Sequence, residues 1–175
     1  MAGVNGGGRI DSDVHPFAPH GLGSILEHAP EQWQARFQAK LGRAEAPIQT
    51  FRFTHPTRAG IRPDSVGPKG GTGGSDPGFV AQDLLDRWDI RCAILAATQP
   101  AGYAAGTAGP AESVAICSTF NDYFIHEWLP VDGRFRLALA VSPQDPEAAA
   151  AEIRRAGEHP QVAAVFLPPI HIRMG

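Results

Sequence analysis

"FRLALAVSPQDPEAAAAEIRRAGEHPQVAAVFLPP", residues 135–169, sets two short apolar runs on either side of a polar, alanine-rich stretch. "FRLALAV" is apolar almost throughout, as a strand buried on both faces is. Asp145-Pro146 then supplies an N-cap residue followed by proline at the first helical position, and "EAAAAEIRRA" continues with strong helix formers. "VAAVFLPP" is a second strand. Strand, helix and strand at this spacing form a βαβ unit, whose strands lie parallel with a right-handed crossover.

Upstream the same alternation continues. Cys117, Phe120, Phe124 and Trp128 form one apolar stripe of a helix expected over about 110–129. "CAILAA" before it is a strand, and Asp76-Pro77 opens the helix "GFVAQDLLDRWDI". Leu26, Trp33, Phe37 and Leu41 recur at helical spacing, which predicts a helix from Ser24 to Leu41. A first strand is expected at about 9–14, behind a flexible tail over 1–8. The reading is an α/β chain with a parallel sheet of about four strands, in the order 1-2-3-4 and covered on both faces. An open doubly wound sheet and the first half of a (β/α)8 TIM-type barrel both fit, although a whole barrel needs about 250 residues. Residues 9–175 read as one domain, with a long insert after strand 1 at about 16–77. The tail "PPIHIRMG" follows a strand with no covering helix, so the chain is expected to stop partway through a larger fold.

With 175 residues, 43% of them hydrophobic, the chain can build one real core. A net charge of −3 offers no basic surface, so no nucleic-acid partner is expected. No apolar run reaches the roughly 18 residues of a membrane span, and "MAGVNGGGR" lacks the apolar centre of a signal peptide. Cys92 and Cys117 sit in apolar runs and form no CxxC pair. They read as buried thiols of a reducing compartment, and the expected location is cytoplasmic. The 20 glycines and 16 prolines are unevenly spread, with a dense share in residues 43–77. Long connections of that kind are functional loops or disordered.

"RIDSDVHPF", residues 9–17, carries the candidate site. Asp11, Asp13 and His15 are spaced i, i+2, i+4, which on an extended strand puts all three on one face. Such a row is either a solvated edge or a site.

Four segments resemble one family: "IDSDVHP", "GSDPGFVAQDLLDRWDIRCAIL", "NDYFIHEWLPVDGRFRLALAVSPQDPEAAAAEIRR" and "VAAVFLP". They are similar to the N-terminal half of the metal-dependent amidohydrolases of the aminocarboxymuconate-semialdehyde decarboxylase type, the amidohydrolase 2 group. The resemblance implies a (β/α)8 barrel with a divalent metal at the C-terminal mouth of its strands. It implies that Asp13-Val14-His15 is the first strand's ligand pair, with zinc the first expectation and manganese or iron as alternatives. Asp11, one layer deeper, would be a structural or outer carboxylate. The implied chemistry is hydrolysis or non-oxidative decarboxylation of a small carboxylated or cyclic substrate. The family's further histidines, after strands five and six, and its aspartate on strand eight have no counterpart here. The chain is therefore expected to be a truncated form that binds metal weakly and does not turn over alone.

Arg52, His55, Arg58 and Arg62 lie in the insert, where substrate-binding loops belong, and an arginine there suits a bidentate clamp on a carboxylate. Ordinary loop solvation is the alternative. His171 follows strand 4 and is a further candidate, whereas His126 and His159 read as surface or helix-end residues. "KGGTGG", 69–74, lacks the spacing of a phosphate cradle and reads as a lid hinge or linker. Two other functions compete: a non-catalytic fragment or interaction module, and a nucleotide- or phosphate-binding doubly wound domain. The latter needs a glycine-rich turn after strand 1, and "DVHPFAP" is none. The expected partner is a small-molecule substrate, without nucleic acid or membrane, and homo-oligomerisation is open.

Overall fold

A computed structural model describes residues 8–20, 22–41, 63–96, 98 and 109–167. Four strands, β1 (Arg9–Val14), β2 (Ile90–Ala96), β3 (Phe135–Ala140) and β4 (Val162–Phe166), form one sheet in the order β1-β2-β3-β4. Every neighbouring pair is parallel, as the alternation of apolar strands with helices requires. The tail up to residue 7, residues 42–62 of the insert and the segment from 168 onward lie outside the described residues.

Among the described residues, four α-helices accompany the strands. Helix α1 is Glu31–Leu41, α2 is Pro77–Val80, α3 is Pro110–Tyr123 and α4 is Pro146–Ala156. The two aspartate-proline starts behave as read. The Asp76 carboxylate accepts the Gly78 and Phe79 N–H groups at 3.0 and 3.2 Å, and Asp145 accepts the Ala148 N–H at 2.9 Å. Helices α2 and α3 both widen at their C-terminal ends into π-helix, over Ala81–Asp86 and Phe124–Trp128. There the Leu129 N–H reaches the Phe124 carbonyl, five residues back, at 3.0 Å.

The helix expected from Ser24 to Leu41 is broken. Leu22–His28 is a 3-10 turn, kinked at Ile25 (φ −132°), and the α-helix begins only at Glu31. Pro30 is the cause: it has no N–H to donate, and it keeps the preceding residue out of the helical region. Phe37 still reaches the core, where it is fully buried.

The main core lies between the sheet and α3. Phe120, Phe124 and Trp128 are fully buried, and Trp128 meets Phe124 and Phe135 edge-on at 6.2 and 5.7 Å. The Trp128 indole N–H donates to the Tyr123 hydroxyl at 3.2 Å, so its polar edge is satisfied. Register sets Ala93 beside Phe135 and Leu95 beside Leu137, and all four are fully buried. These rows are the helix-covered face. Burial of each large side chain there contributes about 1.5–3 kcal/mol.

The other face is covered only in part: Ala96, Ala138 and Ala140 on it are buried. Cys92, Ile94 and Arg136 are only half-buried, and Ile10 is exposed. Of the two cysteines expected to be buried, only Cys117 is. At the β4 edge Val165 and Leu167 are exposed. An apolar strand that loses contact on one face is what a section of curved barrel wall presents when few side chains fill its inside. Among the described residues no helix is long and apolar enough to cross a membrane.

Candidate active site at the carboxyl ends of the strands

Asp13 and His15 lie at the C-terminal end of β1, with the buried Val14 between them. Val14 stands level with Leu95 on the helix-covered face. Its two neighbours therefore leave toward the half-open face, where their side chains are 72% and 43% exposed. His15 Nε2 lies 3.0 Å from Asp13 Oδ1. A carboxylate and an imidazole at that distance can share a proton or a cation.

Asp11 is not on the same face as this pair. The register slips between Asp11, opposite Ala93, and Val14, opposite Leu95. Since Ala93 and Leu95 share a side, three β1 residues span what two span on β2, and Asp11 falls on the side of Val14. Its carboxylate reaches forward along the chain and accepts the Asp13 N–H at 3.1 Å. That is the structural part read for it, reached through a bulge rather than through regular alternation.

The chain leaving β1 is held by "KGGTGG". The Phe17 N–H donates to the Gly74 carbonyl at 3.1 Å, and the Thr72 N–H and hydroxyl donate to the Pro19 carbonyl at 3.0 and 3.1 Å. Gly74 has φ +79°. The motif is thus neither a lid hinge nor a plain linker but a backbone clamp on residues 17–19. Its glycines reach conformations closed to other residues.

Two more strands end at this mouth. Thr98 follows β2 by two residues, and its Oγ1 is buried without a hydrogen-bond partner among the described residues. Past β3, the Ser142 hydroxyl pairs with that of Ser113 at 2.8 Å, both fully buried. At the last residue of β3 the Asn121 carboxamide on α3 bonds both the N–H and the carbonyl of Ala140, and donates to Glu152 Oε1 at 2.7 Å. Thr98 and Asn121 were not legible beforehand, because each matters only through neighbours distant in sequence.

Of the other candidates, Arg52, His55, Arg58, Arg62 and His171 fall outside the described residues. His126 is exposed, as read, and stacks on His28 at 5.9 Å; His159 is half-buried just past α4. Cys117 is no nucleophile: burial, with the Glu152 charge adding, pushes its thiol up to about 12.

The Asp13–His15 pair suits a divalent ion in donor type and in separation. It supplies two donors, and no group of three or more His, Cys, Asp or Glu able to hold a metal occurs among the described residues. Any further donor comes from elsewhere.

No curated protein matches the chain. A family model described as Amidohydrolase matches residues 10–171, from β1 to beyond β4. That family consists in general of metal-dependent hydrolases and decarboxylases. An all-parallel α/β sheet presenting an acid-x-histidine pair at the end of its first strand, within a match spanning nearly the whole chain, means that this protein belongs to the amidohydrolase family, Amidohydro_2.

Proposed function

We propose that the chain carries part of the active site of a metal-dependent hydrolase or decarboxylase of the aminocarboxymuconate-semialdehyde decarboxylase type. The substrate is a small carboxylated or cyclic molecule. Asp13 and His15 are the first-strand donors to a divalent ion, zinc in the first instance. The supporting observation is the 3.0 Å approach of His15 Nε2 to Asp13 Oδ1 on the half-open face, at the strand end where barrel enzymes place their chemistry.

An ion held there polarises a bound water or a substrate oxygen. The chain's own residues prepare that position. Val14 anchors the strand end in the core, Asp11 holds the Asp13 backbone, and the Thr72–Gly74 clamp fixes the segment that follows His15. Two donors hold a metal weakly compared with the three protein ligands of a catalytic zinc site.

Isothermal titration of Zn²⁺ and Mn²⁺ into the purified chain, beside the Asp13→Ala/His15→Ala double variant, tests the reading. Weak binding that the double variant loses is expected. Equal heats from both proteins would remove the pair as ligands.

A further inference from the structure

Thr98 lies two residues past the end of β2, next in the sheet to β1 and at the same end as Asp13 and His15. Its Oγ1 is the one buried side-chain oxygen or nitrogen without a hydrogen-bond partner among the described residues. Proteins pair nearly all such groups, because a dried and unpaired hydroxyl costs stability. The other buried hydroxyls near this mouth obey the rule, Ser113 and Ser142 by pairing with each other. An unpaired hydroxyl just past the strand next to the one that carries the carboxylate–imidazole pair therefore departs from the pattern of its surroundings. Stability is given up in this way where a ligand completes the bond.

We propose that Thr98 is a ligand-binding residue of this mouth, its hydroxyl donating to a carboxylate oxygen of a bound small molecule. The proposal rests on the reading of Asp13 and His15 as cation donors. A dication held by a single carboxylate keeps net positive charge, so the oxygen drawn in beside it is anionic, and a hydroxyl donor to an anionic oxygen makes a strong bond. Thr98 supplies that donor without adding a charge to compete with the metal.

Thermal unfolding of four proteins tests it: the unmodified chain, Thr98→Val, Thr98→Ser and Asp13→Ala/His15→Ala. Each is measured in metal-free buffer, with Zn²⁺, with benzoate, and with both. Valine keeps the shape of threonine and deletes the hydroxyl, whereas serine keeps the hydroxyl. In metal-free buffer Thr98→Val is expected to unfold at or above the temperature of the unmodified chain, since an unpaired group has been removed. It should keep the rise produced by Zn²⁺ and lose the further rise produced by benzoate, which Thr98→Ser retains. The double variant should lose the Zn²⁺ rise. A Thr98→Val protein that melts lower in metal-free buffer, with Thr98→Ser unchanged, would overturn the proposal, because the hydroxyl then already has a partner such as a trapped water. So would a benzoate rise that is equal in Thr98→Val, or one absent from the unmodified chain. If Zn²⁺ leaves the unmodified chain unshifted, the metal reading falls by itself. Benzoate without metal then decides on Thr98 by the same comparison.

Discussion

The side chain of Asn121 takes the place of a strand at Ala140: its Nδ2 donates to the Ala140 carbonyl at 2.8 Å and its Oδ1 accepts the Ala140 N–H at 2.9 Å. Both residues are fully buried, so neither backbone group has water to turn to. Asn121→Leu keeps the volume and removes both bonds. It is expected to cost roughly 2–4 kcal/mol, read from urea denaturation, since two buried backbone groups lose their partners. A loss below about 0.5 kcal/mol would mean that β4 or a water pairs with Ala140 instead.

Cys117 should be inert. With its thiol pushed up to about 12, alkylation by iodoacetamide at pH 8 is expected at Cys92 in the native chain and at Cys117 only on unfolding. The shift has a consequence for stability. Below pH 9 the thiol is protonated in both states and contributes nothing adverse. Between 9 and about 12 the unfolded chain loses the proton while the folded chain keeps it, so stability falls as pH rises through that window. Cys117→Ala, compared with the unmodified chain by denaturation at pH 8 and pH 10.5, should show a smaller fall.

Gly74 should resist substitution. At φ +79° an alanine is strained by about 1–2 kcal/mol, although the space beside the His15 carbonyl admits a methyl group. Gly74→Ala is expected to lower the melting temperature, whereas Gly133→Ala, which meets nothing within 4 Å, is expected to change it little. Equal melting of the two variants would show that the clamp on residues 17–19 tolerates another backbone conformation.

The Asp13→Ala/His15→Ala double variant should fold normally. The pair is largely exposed, and exposed ion pairs contribute about 0–1 kcal/mol. Far-UV circular dichroism and urea midpoints near those of the unmodified chain are expected. A collapse of the fold would mean that the pair is structural, and a change in its titration heats would then say nothing about metal.

The sheet was legible because its strands are apolar runs separated by helices with aspartate-proline starts, and these signals are local. The order β1-β2-β3-β4 follows from them by the handedness of βαβ units. What escaped reading depends on contacts distant in sequence. The stripe Cys117, Phe120, Phe124, Trp128 identified the buried face of α3, but steps of four outrun an ideal helical period, and the π turn that absorbs the excess was not read. Pro30 interrupts an apolar spacing that is helical on paper, so the spacing alone carries the helix across it. The pair Asp13–His15 was legible as a unit, since period-2 geometry needs only a strand. The half-open inner face was not, because apolar composition reports what a strand can bury and not what is there to bury it.

The slipped register of β1 also bears on how much the strand's length may vary. Between Asp11 and Val14, where Ser12 lies, β1 has one residue more than β2, and between Arg9 and Ile10 it has one fewer, so the two slips offset each other. Removing Ser12 would leave the extra β2 residue uncompensated and put Arg9 out of step with Ile90. Inserting one residue between Asp13 and His15 would send one of them toward the core instead. Relatives of this chain should therefore keep a fixed length from Asp13 to His15.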